Sequence, residues 1–227
     1  LDSSATFLIG GAPKYNDNIG YSKIHYNEGR NWPLFGQEII GNYSYPSGQF
    51  GFDTAVSRGR KSSSSVVGYN PVAVIGSPYV DHAGTNAGMI SIYRYTDKST
   101  VAEPWDLVQE IHGPEANAQF GYSVAIDLTG DHIVVGSPHT TGKGRVYVYK
   151  YNSSTDQYDI LGNYIEGVAD SDSFGFSVDL SDTGDVAGDP TLIVGAPNYG
   201  GGIFSKTNRG YVKVFTFKNN SWVTVQS

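Results

Sequence analysis

The residue types able to carry chemistry are scattered along this sequence. Five histidines, His25, His82, His112, His132 and His139, form no HExxH and no close pair at ligand spacing, a pattern that argues against zinc. There is no cysteine, hence no disulfide, no thiolate ligand and no cysteine nucleophile. From Gly136 to Gly144, GSPHTTGKG approaches a phosphate-binding loop, yet it has one spacer too many and no Ser or Thr after Lys143. No G-x-S-x-G elbow is present, and a Ser-His-Asp trio would have to be gathered from distant loops. No catalytic residue is nominated, and the chain reads as a non-enzyme with no cofactor.

The elements that would position any site repeat. In 227 residues with 39% hydrophobic and 16% charged content there is material for one sizeable core. The net charge of -7 disfavours a general hold on nucleic acid or an anionic membrane. No apolar stretch approaches the roughly 18 residues of a membrane span. Counts of Gly 29 and Tyr 17 point to short strands and tight turns. Gly11-Ala12-Pro13 returns as Gly76-Ser77-Pro78, Gly136-Ser137-Pro138 and Gly195-Ala196-Pro197, at spacings of 65, 60 and 59.

Each copy ends an aliphatic run (Phe7 to Ile9, Val72 to Ile75, His132 to Val135, Thr191 to Val194) that reads as a buried strand, B. Gly20, Gly88, Gly144 and Gly210 each open an alternating segment, such as RVYVYKY after Gly144, that reads as strand C. Strand D follows in NWPLFGQEIIG from Asn31, PWDLVQEIHG from Pro104, QYDILGNYIEG from Gln157 and SWVTVQ from Ser221. Strand A follows Phe50-Gly51, Phe120-Gly121 and Phe174-Gly175. Four short strands per period of about 60 residues, with no helical period, predict an all-β propeller of four-stranded antiparallel blades. The blades are expected at approximately 1–47, 48–117, 118–171 and 172–227, three nearly complete and one truncated. Each Phe is expected to fill the gap between sheets, while its glycine admits a close backbone.

QFGYSVAIDLTGDHIVVGSP from Gln119, followed by GRVYVYKY, resembles the FG-GAP repeat of integrin α-subunit-type propellers, in its calcium-poor variety. The resemblance covers essentially the whole chain. It implies a ring that usually closes at seven blades, roughly 430 residues at this period, so the chain is expected to be an excerpt of a longer polypeptide. A four-bladed ring is the competing reading.

The resemblance also directs attention to the A-to-B hairpin, where such repeats often hold calcium with closely spaced oxygens. Repeat three offers only Leu128 to Asp131, and repeat two the basic, serine-rich Arg58 to Ser65. In repeat four, Asp182, Asp185 and Asp189 form a weak calcium candidate, with Ala187 in place of an oxygen ligand and Pro190 in place of a glycine; the preferred reading is a solvated acidic turn.

Integrin analogy places recognition on the D-to-A loops (Tyr43 to Gln49, Gly113 to Gln119, Gly167 to Ser173) and the B-to-C loops (Lys14 to Ile19, Tyr79 to Ala87, His139 to Lys143, Asn198 to Arg209). These nominate Tyr15, Tyr79, His82, His139, Tyr199 and Phe204 as a surface for a protein or glycan ligand. Sequons at Asn42, Asn152 and Asn219 fall in expected loops. The resulting expectation is an extracellular or surface propeller acting in adhesion, recognition or assembly; the alternatives are a glycan-binding lectin and an accessory propeller of a larger secreted enzyme.

Overall fold

A computed structural model describes residues 1–63, 65, 67–97, 103–181, 190–198 and 209–226. The apolar runs and alternating segments pair into four antiparallel sheets. The first contains β1 (Phe7–Ala12), β2 (Tyr21–Tyr26) and β3 (Ile39–Ile40); the second β4 (Thr54–Lys61), β5 (Tyr69–Ser77), β6 (Met89–Tyr95) and β7 (Trp105–His112). The third contains β8 (Ser123–Ile126), β9 (His132–Ser137), β10 (Arg145–Asn152), β11 (Gln157–Ile160) and β12 (Ile165–Glu166); the fourth β13 (Ser177–Leu180), β14 (Thr191–Ala196), β15 (Tyr211–Lys218) and β16 (Ser221–Gln226). Except for β12, which pairs with β10, neighbours in sequence are neighbours in each sheet, so every blade is a meander in the order A, B, C, D, with A absent from the first. This is the blade architecture of a propeller, and among the described residues the four sheets do not close into a ring.

Strand D departs from the expected single segment in two blades. In the first it shrinks to Ile39–Ile40 and an isolated bridge from Leu34 to His25, because Pro33 lacks a donor and Gly36 takes a positive φ of 88°. In the third it splits into β11 and β12, both paired with β10, on either side of Gly162 at φ 72°. The second A-to-B turn also lies later than Arg58: β4 runs to Lys61 through an irregularity between Ser57 and Arg60.

Consecutive blades are joined at three radii. Nearest the centre, Val124 N–H donates to Asp53 at 2.8 Å and Val178 N–H to Ser123 Oγ at 3.2 Å, each bond tying one A strand to the next. At mid-radius the Phe-Gly dipeptide inserts into the preceding blade. Phe120 N–H donates to Ala87 O at 3.0 Å and Phe174 N–H to Lys143 O at 3.0 Å. Phe50, Phe120 and Phe174 lie in three cores that each draw side chains from two sheets. A Cβ built on Gly136 would lie 2.0 Å from Gly175 O, so only glycine lets the two backbones meet. At the outer edge, Gln37 grips both backbone groups of Trp105, and Gln109 those of Tyr158. The strand D glutamines Gln37 and Gln109 are therefore inter-blade clasps.

Phe120→Ala is expected to cost about 3–5 kcal/mol in denaturant unfolding, from lost burial and the cavity left behind. Gly136→Val should be at least as damaging. Gly10→Ala, whose Cβ would meet nothing within 4 Å, should change stability by under about 0.5 kcal/mol.

Candidate functional site

The A-to-B hairpins are where the resemblance leads one to look for calcium. The structure shows what closes them here. Asp127 accepts hydrogen bonds from Asp131 N–H (2.8 Å), Thr129 Oγ1 (3.1 Å) and His132 Nδ1 (2.8 Å). Asp2, at the same register in the first blade, accepts from Thr6 N–H (2.7 Å), Phe7 N–H (2.6 Å) and both donors of Ser4. Ser57 and Ser181 hold this place in the other two blades, accepting from Val72 N–H at 3.2 Å and Thr191 N–H at 3.1 Å. In the first and third blades the aspartate thus satisfies the hairpin from within the chain, whereas Ser57 lies inside β4, at its irregularity and before its hairpin. Asp182, Asp185 and Asp189 lie outside the described residues. Among the described residues no group of three His, Asp or Glu is arranged to hold a metal ion.

At the opposite end of the sheets the D-to-A and B-to-C connections are laced together. Gln49 N–H donates to Asn18 O, Asn117 to Thr85 O, Gln119 to Asn86 O and Ser171 to Gly142 O, while Tyr79 N–H donates to Gly48 O and Asn198 to Asp172 O. Each D-to-A loop is bonded to the blades on both sides, which gives these loops a rigid frame. Between Ser44–Gly48 of one loop and Tyr79 and Asp81 of the next lies a recess of about 190 Å³.

Across this end runs a ladder of rings that follow the Phe-Gly dipeptides. Tyr79 meets Phe52 at 5.8 Å, Phe52 meets Tyr122 at 4.8 Å, and Tyr122 meets Phe176 at 5.0 Å, all tilted or edge-on. Burial, and then the neighbouring Tyr79, push the Tyr122 hydroxyl above its ordinary pKa. Sequence reasoning nominated Tyr79 alone. The signal for the others was available: the residue after Phe-Gly is aromatic in all three repeats that have one.

His82 is exposed, and its ring stacks on His112 at 3.8 Å, with Tyr45 edge-on to both at 6.4 and 6.2 Å. The sequence disguised this pair, since the two lie on different elements thirty positions apart. Burial, and then His82, lower the His112 pKa. Stacked imidazoles have parallel in-plane lone pairs, which do not converge on one ion. His139 is exposed ahead of a 3-10 turn at Thr140–Gly142, and Tyr15 lies apart in the first blade, exposed and edge-on to Tyr21 at 4.9 Å. Tyr199 and Phe204 lie outside the described residues. Of the sequons, Asn42 is exposed, Asn152 Nδ2 donates to Asp159 at 2.8 Å, and Asn219 forms a two-residue turn with Asn220, both at positive φ.

Residues 105–149, from β7 into β10, match the family model described as FG-GAP repeat. No curated protein matches the chain.

Burial opposes ionisation of Asp127, but the His132 hydrogen bond and charge, with the Asp131 and His132 backbone, outweigh it and hold the carboxyl below its ordinary value. A group depressed in the folded state stabilises above its unfolded pKa, and that stabilisation is lost as pH falls through the folded value. Asp127→Asn is therefore expected to lower stability by about 1–3 kcal/mol at pH 7 and to weaken the dependence of urea midpoint on pH below 4. An acid limb as steep as the parent's would contradict this role.

Proposed function

We propose, from the FG-GAP repeat this chain carries, that it is a non-catalytic recognition domain of an extracellular or surface protein, with a protein as its ligand. Repeats of this kind are typical of extracellular proteins and generally mediate protein interactions. Among the described residues no helix is long and apolar enough to cross a membrane.

The observation that carries the reading is the ladder of Tyr79, Phe52, Tyr122 and Phe176 on the loop-laced end of the blades. Aromatic rings held on a rigid frame lose little freedom on binding and bring large contact area, which is what an interface anchor requires. The recess beside Tyr79 and Asp81 would seat a projecting ligand group. A glycan is the second reading, favoured by the same pairing of a ring with a carboxylate.

A screen of extracellular proteins and a glycan array, each with the parent protein and Tyr79→Ala, tests this. The expected outcome is a protein ligand that Tyr79→Ala weakens at least tenfold without moving the melting temperature; array binding lost with the same change would assign the face to sugars instead. Binding in this reading needs no metal. EDTA is expected to leave both melting temperature and binding unchanged, because the first and third hairpins are closed by Asp2 and Asp127. A drop in melting temperature that calcium restores would point to Asp182, Asp185 and Asp189.

A further inference from the structure

Tyr45, His82 and His112 come from three different elements and meet beside the recess that Tyr45 helps to line. Tyr45 stands on the D-to-A loop that leaves the first blade, His82 on the B-to-C loop of the second, and His112 at the end of β7. The two imidazoles stack at 3.8 Å with 20° between their planes, and the Tyr45 hydroxyl lies 3.5 Å from His82 Nδ1. The backbone bond between the two loops, from Tyr79 N–H to Gly48 O, is long at 3.4 Å. The ring cluster therefore bears much of the hold between Tyr45 and the second blade. Because Tyr45 lines the recess together with Tyr79 and Asp81, the place of its ring sets the shape of the recess.

A pair of stacked imidazoles accommodates one positive charge and resists two. Exposed His82 can keep its proton in water, but a second proton, on His112, would set two like charges 3.8 Å apart. The surroundings of His112 do little to offset this. Its Nδ1 is shut off from solvent without a hydrogen-bond partner. The groups on the neighbouring elements act elsewhere: Asp81, on the His82 loop, accepts from Asn86 N–H at 2.7 Å, Glu110 on β7 bears on Tyr93, and Glu115 on the following loop bears on Tyr147. On the facing loop the titratable group is the Tyr45 phenol. Burial first, and His82 second, hold the His112 pKa below its ordinary value. A histidine depressed in this way stabilises the fold above the ordinary value of about 6.5, and that stabilisation is lost as pH falls through the folded value.

We propose that the His82–His112 stack is a pH-operated latch on this recess. With at most one ring protonated, the stack holds Tyr45 against the second blade; with both protonated, the rings part, Tyr45 is released and the recess loses that wall. A ligand group seated there, on the reading given above, would be let go in acid. The latch itself needs no ligand.

The test is two-dimensional NMR of the isotopically labelled 227-residue protein, titrated without ligand from about pH 7.5 to about pH 5. The two imidazoles are expected to titrate in two steps, and the ring signals of Tyr45 and the amide signals of Gly48 and Tyr79 are expected to move with the lower one. His82→Phe combined with His112→Phe keeps two flat rings without a titratable group and leaves His25, His132 and His139 in place; in it the three reporters are expected to stay still. Its melting temperature at pH 7.5 checks the fold. Reporters in the parent protein that do not move, or that move with the first step alone, would overturn the proposal, whatever the variant does. So would the same movement in the folded double variant. Loss of ligand binding with the latch signals intact would count against the loop-face reading instead.

Discussion

The structure rests on one close approach of backbones. Where the Phe-Gly of one blade enters the one before it, Gly175 O lies 2.0 Å from the place a Cβ would take on Gly136, and the same relation joins Gly11 to Gly51 and Gly76 to Gly121. With no side chain at either position, Phe50, Phe120 and Phe174 can be driven fully between sheets, and the three cores form around them. A single-sheet blade has two faces to cover and cannot cover either alone, so the energy of the fold lies in these seams.

The other recurring residues make sense around that seam. Asp2 and Asp127 give the N–H groups of the first and third hairpins an acceptor, which fixes the register at which those hairpins turn. In the first two blades strand D carries a glutamine whose amide replaces the backbone partners that the next blade's aromatic would otherwise lack. The seam also shapes the proposed recognition face. Because it enters from the D-to-A loop, it laces that loop to both neighbours and leaves the ring after each Phe-Gly standing in a row on the same end.

Much of this was legible in the sequence. Period-two alternation located strand C in every blade, and the run from His132 to Val135 announced a strand with two buried faces, since no water-facing residue interrupts it. The Phe-Gly and Gly-x-Pro spacings gave the blade count because packing permits no other residue there. Less legible were interruptions within strands: the splitting of the third strand D depends on a glycine reaching φ 72°, which composition alone does not distinguish from an ordinary strand glycine.

Of the candidate site, the sequence by itself determined the types: aromatic loops and the turn residues. Only the tertiary structure decided which of them meet. The ring ladder, the His82–His112 stack and the Gln109–Tyr158 clasp join residues from different blades or from different elements of one blade. Their proximity is set by how one sheet twists and seats on the next, a relation between distant segments that no local pattern of residues encodes.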